Sequence, residues 1–181
     1  MTFDLELINR HRPFFEAVAA AHTEAALRDN LSSVIIRSVS GAGAEPIRSV
    51  LAGIMSLETL HGPVALARQQ LLQRSSSTWW NLKTPGIQYG YGSSFVKGKP
   101  DPLLAKCEEV LFKEYDTMSP EFAWLGKIPP ITYGGRLDTP LYPNMAFYSA
   151  ILAELIRWPA GLEFLLVAAL RAGAWATLLK K

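Results

Sequence analysis

Cysteine is almost absent from this chain. Cys107 is the single one among 181 residues, so no disulfide can form within it. Histidine is nearly as scarce: His11, His22 and His61 are the three present, and none is near Cys107 in sequence, which removes a paired Cys/His metal motif. Charge is sparse as well. Charged residues make up 19% of the chain and the net charge is +2, too little to draw it to nucleic acid or to an acidic membrane surface. No Lys/Arg stripe interleaved with aromatic residues appears, so nucleic acid is set aside as a partner. The start, Met1 to Asn9, carries Asp4 and Glu6 and has no basic cluster; it does not read as a secretory signal, and the expected compartment is cytoplasmic. The most apolar stretch, Gly161 to Leu179, approaches the length of a membrane span but contains Glu163 and Arg171. Charges at mid-span are costly in lipid, so the expectation is a helix buried in a soluble protein with no membrane partner.

What the chain has is apolar bulk. Hydrophobic residues make up 49%, enough for one compact domain or two tightly joined lobes. Phe14, Phe15, Val18, Ala21 and Ala25 recur at helical spacing within Phe3 to Leu27, and Pro13 marks a helix start there. Asn30 to Val39 fits a short helix or a strand, and Gly41-Ala42-Gly43 ends it. Pro46 to Leu60 reads as a helix with Ile47, Val50, Leu51, Ile54 and Leu57 on one face, interrupted by His61-Gly62-Pro63 and followed by a further helix from Val64 to about Gln73. Ser75 to Gly98, with Trp79, Trp80, Pro85 and four glycines, reads as a long functional loop. Asp101-Pro102 is a helix start, with Asp as N-cap and Pro at the first position, for a helix to about Tyr115. Ser119-Pro120-Glu121 repeats that signal for a short helix to Leu125. Pro129 to Pro143 is again rich in Pro and Gly. Asn144 to Ile156 and Gly161 to Leu179 are the last helices, separated at Pro159. No strand alternation is sustained and no repeat is visible, so the expected fold class is all-α.

Four segments, in order, carry a resemblance. Ile54 to Pro63 is similar to a helix that ends in His-Gly-Gly-Ala. Tyr89-Gly90-Tyr91-Gly92-Ser93-Ser94, followed by Asp101-Pro102, is similar to a Gly-Phe/Tyr-Gly-His loop followed by Asp-Pro-Arg. Leu141-Tyr142-Pro143-Asn144-Met145-Ala146-Phe147-Tyr148-Ser149 resembles Leu-Tyr-Pro-Asn-Val-Asp-Phe-Tyr-Ser, and Leu170-Arg171-Ala172-Gly173-Ala174-Trp175 resembles an Arg-x-x-Gly-Trp helix. Together they resemble the C-terminal portion of the citrate synthase and citryl-CoA lyase family. The resemblance implies a citrate synthase-like helical core that lacks the family's large N-terminal helical portion. It also implies a division into large-domain-like helices at 1–62 and 156–181 and a small-domain-like unit with the active-site loop at 63–155. Helix faces left uncovered imply a homodimer, or a hetero-oligomer with a citrate synthase-like chain.

The implied chemistry is C–C bond formation or cleavage beside a CoA thioester, through an enol or enolate. His61 falls on the histidine that holds the enolised thioester oxygen; a neutral imidazole donates such a bond, although the same residue reads equally as a capping or buried histidine. The second histidine, which polarises the keto acceptor, is replaced by Ser93 or Ser94, since the spacing to Asp-Pro differs by one residue; a serine hydroxyl donates but is no acid at neutral pH. Ser93 as nucleophile would need His61 as its base. The carboxylate base is replaced by Ala146, and loss of a positioned base typically costs about 10² to 10⁴ in rate. Glu58 and Asp138 are alternative carboxylates in sequence, each read more simply as solvated. Leu103 stands where the Asp-Pro-Arg arginine clamps a carboxylate. Arg171 keeps another family arginine, expected either to face a ligand cavity or to pair with Glu163. No histidine precedes Ser32-Ser33 at the family's place, His22 being too far upstream.

By the same resemblance, Gly90, Gly92, Lys97 and Lys99 belong to a CoA-recognition loop, with the lysines toward phosphates, although the same stretch reads equally as a basic solvated loop; Tyr91, Asn144 and Arg171 are substrate-binding candidates. The CoA thioester is a substrate, with no tightly bound cofactor. Trp79-Trp80 reads as pocket lining or as core. Two functional classes follow: an altered enzyme whose second substrate is not oxaloacetate, or a non-catalytic subunit that binds CoA compounds or pairs with a complete family member.

Overall fold

The computed structural model of the chain describes residues 5–28, 30–73, 89–92, 96, 98–115, 131–132 and 140–179, with the side chains at 58–63, 73, 114–115, 131–132 and 140 left outside the description. Most of the expected loop at 75–98 and the expected helix at 119–125 lie outside these residues, Trp79 and Trp80 among them. Within them the chain is helical: α1 Leu5–Arg10, α2 Arg12–Leu27, α3 Leu31–Gly41, α4 Pro46–Gln73, a 3-10 turn Pro102–Leu104 leading into α5 Ala105–Tyr115, α6 Met145–Leu155 and α7 Glu163–Leu178. Among the described residues, strand structure is limited to a pair of two-residue strands, β1 Ile131–Thr132 and β2 Pro140–Leu141, antiparallel, with Ile131 opposite Leu141. The all-α class expected from the sequence is what the chain adopts.

Helix starts follow the local signals. Pro13 lies in the first turn of α2, where a missing N–H costs nothing, and Phe14, Ala17, Val18, Ala21, His22 and Ala26 form its buried face. His11 separates α1 from α2, so the first segment is two helices rather than one. The segment after Asn30 is a helix, and the cap decides it: Asn30 Oδ1 accepts from the Ser33 N–H at 3.1 Å. Asp101 Oδ1 accepts from the Leu103 N–H at 3.1 Å, as its N-cap reading requires.

Two expectations about α4 are corrected. His61-Gly62-Pro63 does not interrupt it; one 28-residue helix passes through. Proline removes one backbone donor, but tertiary packing holds the axis on both sides of it, through Leu57 before and Val64 and Ala67 after, all essentially inaccessible. Nor do the five apolar residues share a buried face: Ile47 is 62% and Leu51 50% exposed. Of the five only Leu57 is fully buried, with Val50 and Ile54 half-buried, and the buried edge runs through Ser49, Gly53 and Leu57. Small residues let α4 cross α3 so closely that a Cβ on Gly53 would come 2.6 Å from Ile36 Cγ1, and closer still to Cδ1. Helix contact here is set by the absence of side chain, a signal that a search for large apolar residues passes over. Ile47, Leu51 and Met55 then point outward, with Leu31 and Val34 of α3 also exposed.

α6 is the centre of the molecule, buried over nearly its whole length and packed by α2 and α4. α7 lies against the same two helices. The α6–α7 turn is closed by Trp158 N–H to Ala153 O at 2.7 Å and Arg157 N–H to Glu154 O at 3.1 Å, with Arg157 at φ 50° in the left-handed position that glycine usually takes. Arg68 of α4 clamps this turn, donating to Glu154 Oε2 at 2.9 Å, to Glu163 Oε1 at 3.0 Å and to Trp158 O at 2.7 Å. No helix among the described residues is long and apolar enough to cross a membrane.

The α3–α4 crossing generates a test. Ala in place of Gly within an exposed helix stabilises by about 1 kcal/mol. Here Gly53→Ala should instead cost about 1–3 kcal/mol in urea unfolding, because the wholly buried Ile36 side chain must shift to admit the methyl. In an Ile36→Ala background the same change should become neutral or favourable. Additive effects of the two substitutions would show that the helices are not in this contact.

Candidate functional site

α7 carries Arg171 into the interior, where the residue is 6% exposed. Its partners come from two other helices. Nε donates to His22 Nδ1 of α2 at 3.3 Å, and Nη1 donates to Ser32 Oγ of α3 at 3.2 Å. His22 Nε2 is 2.7 Å from Ser149 Oγ of α6, and Ser149 Oγ donates to Met145 O at 2.8 Å. Ser32 Oγ in turn donates to Asn30 Oδ1 at 2.7 Å. One buried polar chain therefore ties the starts of α3 and α6 and the middles of α2 and α7.

The directions within this chain are fixed by chemistry. A guanidinium only donates, so His22 Nδ1 must be the bare, accepting nitrogen. The proton of a neutral imidazole is then on Nε2, which donates to Ser149 Oγ. Ser149 passes its own proton toward Met145 O. His22 so placed is no base toward Ser149, and the short His–Ser distance does not make a nucleophile.

Arg171 has no carboxylate within ion-pair distance among the described residues. The sequence left open a pair with Glu163; that is corrected, since Glu163 belongs to Arg68. The reason is the turn at 156–162, which places the start of α7 over α4 while Arg171, two turns later, faces α2 and α3. Burial pushes the Arg171 guanidinium down from 12.5 to about 10. It stays charged at neutral pH, and burial disfavours that charge. The sign is that of a base whose folded value is depressed: the penalty is full at neutral pH and relaxes only as pH rises through about 10.

Around this chain the site is apolar. Ala146, where the family carboxylate stands, is 9% exposed and belongs to a cluster with Val64, Ala67, Ala150, Val167 and Trp175. Leu103 lines an open groove of about 440 Å³ between α2 and the 3-10 turn, with Ala17, Ala20, Ala21 and Lys106. Cys107 is fully buried in α5, its thiol pushed up to about 12 by burial, which leaves it inert as a nucleophile. No group of three His, Cys, Asp or Glu among the described residues is placed to hold a metal.

The loop end at Tyr89 to Gly92 is seated on α6. Gly92 N–H donates to Tyr142 O at 2.8 Å, Asn144 N–H to Gly90 O at 2.9 Å and Asn144 Nδ2 to Gly92 O at 2.8 Å. Tyr91 is buried edge-on against Phe147 with ring centroids 5.3 Å apart. Gly90 has φ 85°, and a Cβ there would come 3.2 Å from Phe147 Cα and 3.3 Å from the Ala67 methyl, so only glycine fits. Asn144 is also the N-cap of α6, accepting from the Ala146 N–H at 2.9 Å. Lys99 is exposed. His61 is in α4 by its backbone, with its side chain outside the described residues; Ser93, Ser94, Lys97 and Asp138 also lie outside them, as does the side chain of Glu58.

His22, Ser32 and Ser149 were missed as site residues. His22 did leave a signal: it falls on the buried stripe of α2 between Val18 and Ala26, one turn from each. The turn at Asn30 sets α3 against α4 and brings Ser32, in the first turn of α3, to the same guanidinium as His22.

Replacing His22 tests the network. His22→Phe fills the space but leaves Arg171 Nε without an acceptor and Ser149 without its donor. Unfolding free energy should fall by at least about 2 kcal/mol; a change within about 0.5 kcal/mol would show that Arg171 finds its partners elsewhere.

The citrate synthase, C-terminal domain family matches residues 1–180. No curated protein and no solved structure matches the chain. That match spans nearly the whole chain, and the chain belongs to the citrate synthase family through its C-terminal domain.

Proposed function

We propose that this chain acts on a CoA thioester or a related acyl compound, making or breaking a C–C bond beside the acyl carbonyl, with a second substrate other than oxaloacetate. The observation that carries this reading is Arg171: a buried cation held by a neutral imidazole and a hydroxyl, with no carboxylate beside it among the described residues. Such a charge is destabilising until an anionic group reaches it, and its helix packs against α4, which bears His61. In this reading His61 donates to the enolate oxygen, Ser93 donates where the family has its second histidine, and Gly90, Gly92, Lys97 and Lys99 receive the nucleotide end. Leu103 in place of an arginine removes one carboxylate clamp, which is why a less charged second substrate fits better than oxaloacetate.

A second reading has its own observation. Ala146 stands in an apolar cluster where the base should be, and the described residues put no carboxylate in its place. A non-catalytic subunit that binds CoA compounds, or pairs with a complete family member, needs no base. The exposed Ile47, Leu51 and Met55 offer such a partner, or a second copy of the chain, an apolar face.

Thermal shift with CoA and acetyl-CoA at millimolar concentration tests the ligand class. A ligand present at about 100 times its dissociation constant should stabilise by about 2.7 kcal/mol, a rise of a few degrees. No rise with either compound removes the reading. Where thioester turnover is found, His61→Ala should lower it by about 10²-fold or more; unchanged turnover would take His61 out of the chemistry, and binding without turnover favours the subunit.

A further inference from the structure

The Asn144 side chain does two separable things with its two polar atoms. Oδ1 accepts from the N–H groups of Ala146 and Phe147, at 2.9 and 3.4 Å, and so caps α6. Nδ2 donates 2.8 Å to Gly92 O, across 52 residues of chain. The cap needs only an oxygen, and Asp, Ser or Thr would serve it. The amide nitrogen is needed only for the loop. Around this bond the seat is tight on every side: Gly92 N–H on Tyr142 O, Asn144 N–H on Gly90 O, the Gly90 backbone against Phe147 and Ala67, and Tyr91 against the Phe147 ring. The same residue thereby ends the loop and begins the helix that carries Ala146 and Ser149.

We propose that Asn144 is a positioning residue: through its amide it fixes the seat of the Gly90–Gly92 loop on the start of α6, and so sets whether that loop is in place to receive a ligand. It is a latch between site loop and helix, distinct from a substrate contact. The part concerning ligand rests on the CoA reading above; the latch itself does not.

Asn144→Asp separates the two roles. Aspartate keeps the capping oxygen, with a charge that suits a helix N-terminus, but sets a carboxylate oxygen against Gly92 O where the amide donated. Asn144→Ala removes both roles. Hydrogen exchange of the purified chain, read at the Gly92 amide and at Phe147 and Tyr148 of the first turn of α6, and CoA affinity by thermal shift are the measurements. Asn144→Asp should leave the first-turn amides protected as in the parent, speed exchange at Gly92 by about tenfold, and weaken CoA binding by about the same factor. Asn144→Ala should expose both places.

Unchanged Gly92 exchange in Asn144→Asp overturns the latch. Equal loss of protection at loop and helix in Asn144→Asp also overturns it, since the loop then merely follows the helix. Faster Gly92 exchange with CoA affinity unaltered overturns the link to ligand. If the parent chain binds no CoA, the functional reading fails by itself, and the exchange at Gly92 still decides the latch.

Discussion

The interior of this protein is organised around a charge that no carboxylate among the described residues neutralises. Arg171 reaches between α2 and α3, and what meets it there is a bare imidazole nitrogen and a serine hydroxyl. Both are good acceptors, neither carries charge. The contrast with Arg68 makes the point. Arg68 is buried to a similar degree, yet two carboxylates and a carbonyl enclose it, and it serves to clamp the α6–α7 turn to α4. One buried arginine is paired with carboxylates; the other is hydrogen-bonded but has none beside it among the described residues. The orientation of His22, the seat of Ser149 and the start of α3 all follow from the second.

The same region shows what divergence has done to a family frame. The backbone devices persist: glycines on either side of Tyr91 where a Cβ would collide or strain, an Asn cap after Tyr-Pro, an arginine on the last helix. Where the resemblance puts two of the family's ionisable side chains, this chain has Ala146 and Leu103. Ala146 has joined an apolar cluster, and Leu103 lines a groove. Geometry that depends on backbone is kept by glycine and cap residues, which tolerate little else. Chemistry that depends on a single side chain is lost by one substitution with no effect on the frame. This is why membership of the family is secure while its reaction is a proposal.

Much of the fold was legible because its signals are local. Pro13, Asp101 and Asn144 each start a helix or turn by a bond to a nearby N–H or by a fixed φ, and each stands where it was read, whereas Asn30 caps a helix that the pattern left open between helix and strand. The errors came where distant packing overrides local preference. Pro63 argued for a break that contacts on both sides of it prevent, and Gly53 hid the true packing edge of α4 by having no side chain to count. The site was less legible still. Arg171 was found from its motif, but His22 and Ser32 meet it only through the turn at Asn30, and no spacing rule in the chain states that contact.

The tautomer of His22 tests the organising interaction most directly. Long-range ¹⁵N correlation spectra of the imidazole at neutral pH should show Nδ1 unprotonated and Nε2 carrying the proton, as a donating Arg171 on one side and an accepting Ser149 on the other require. A proton on Nδ1, or an imidazolium with both nitrogens protonated, would mean that Arg171 does not donate to His22 and that the buried charge is held some other way.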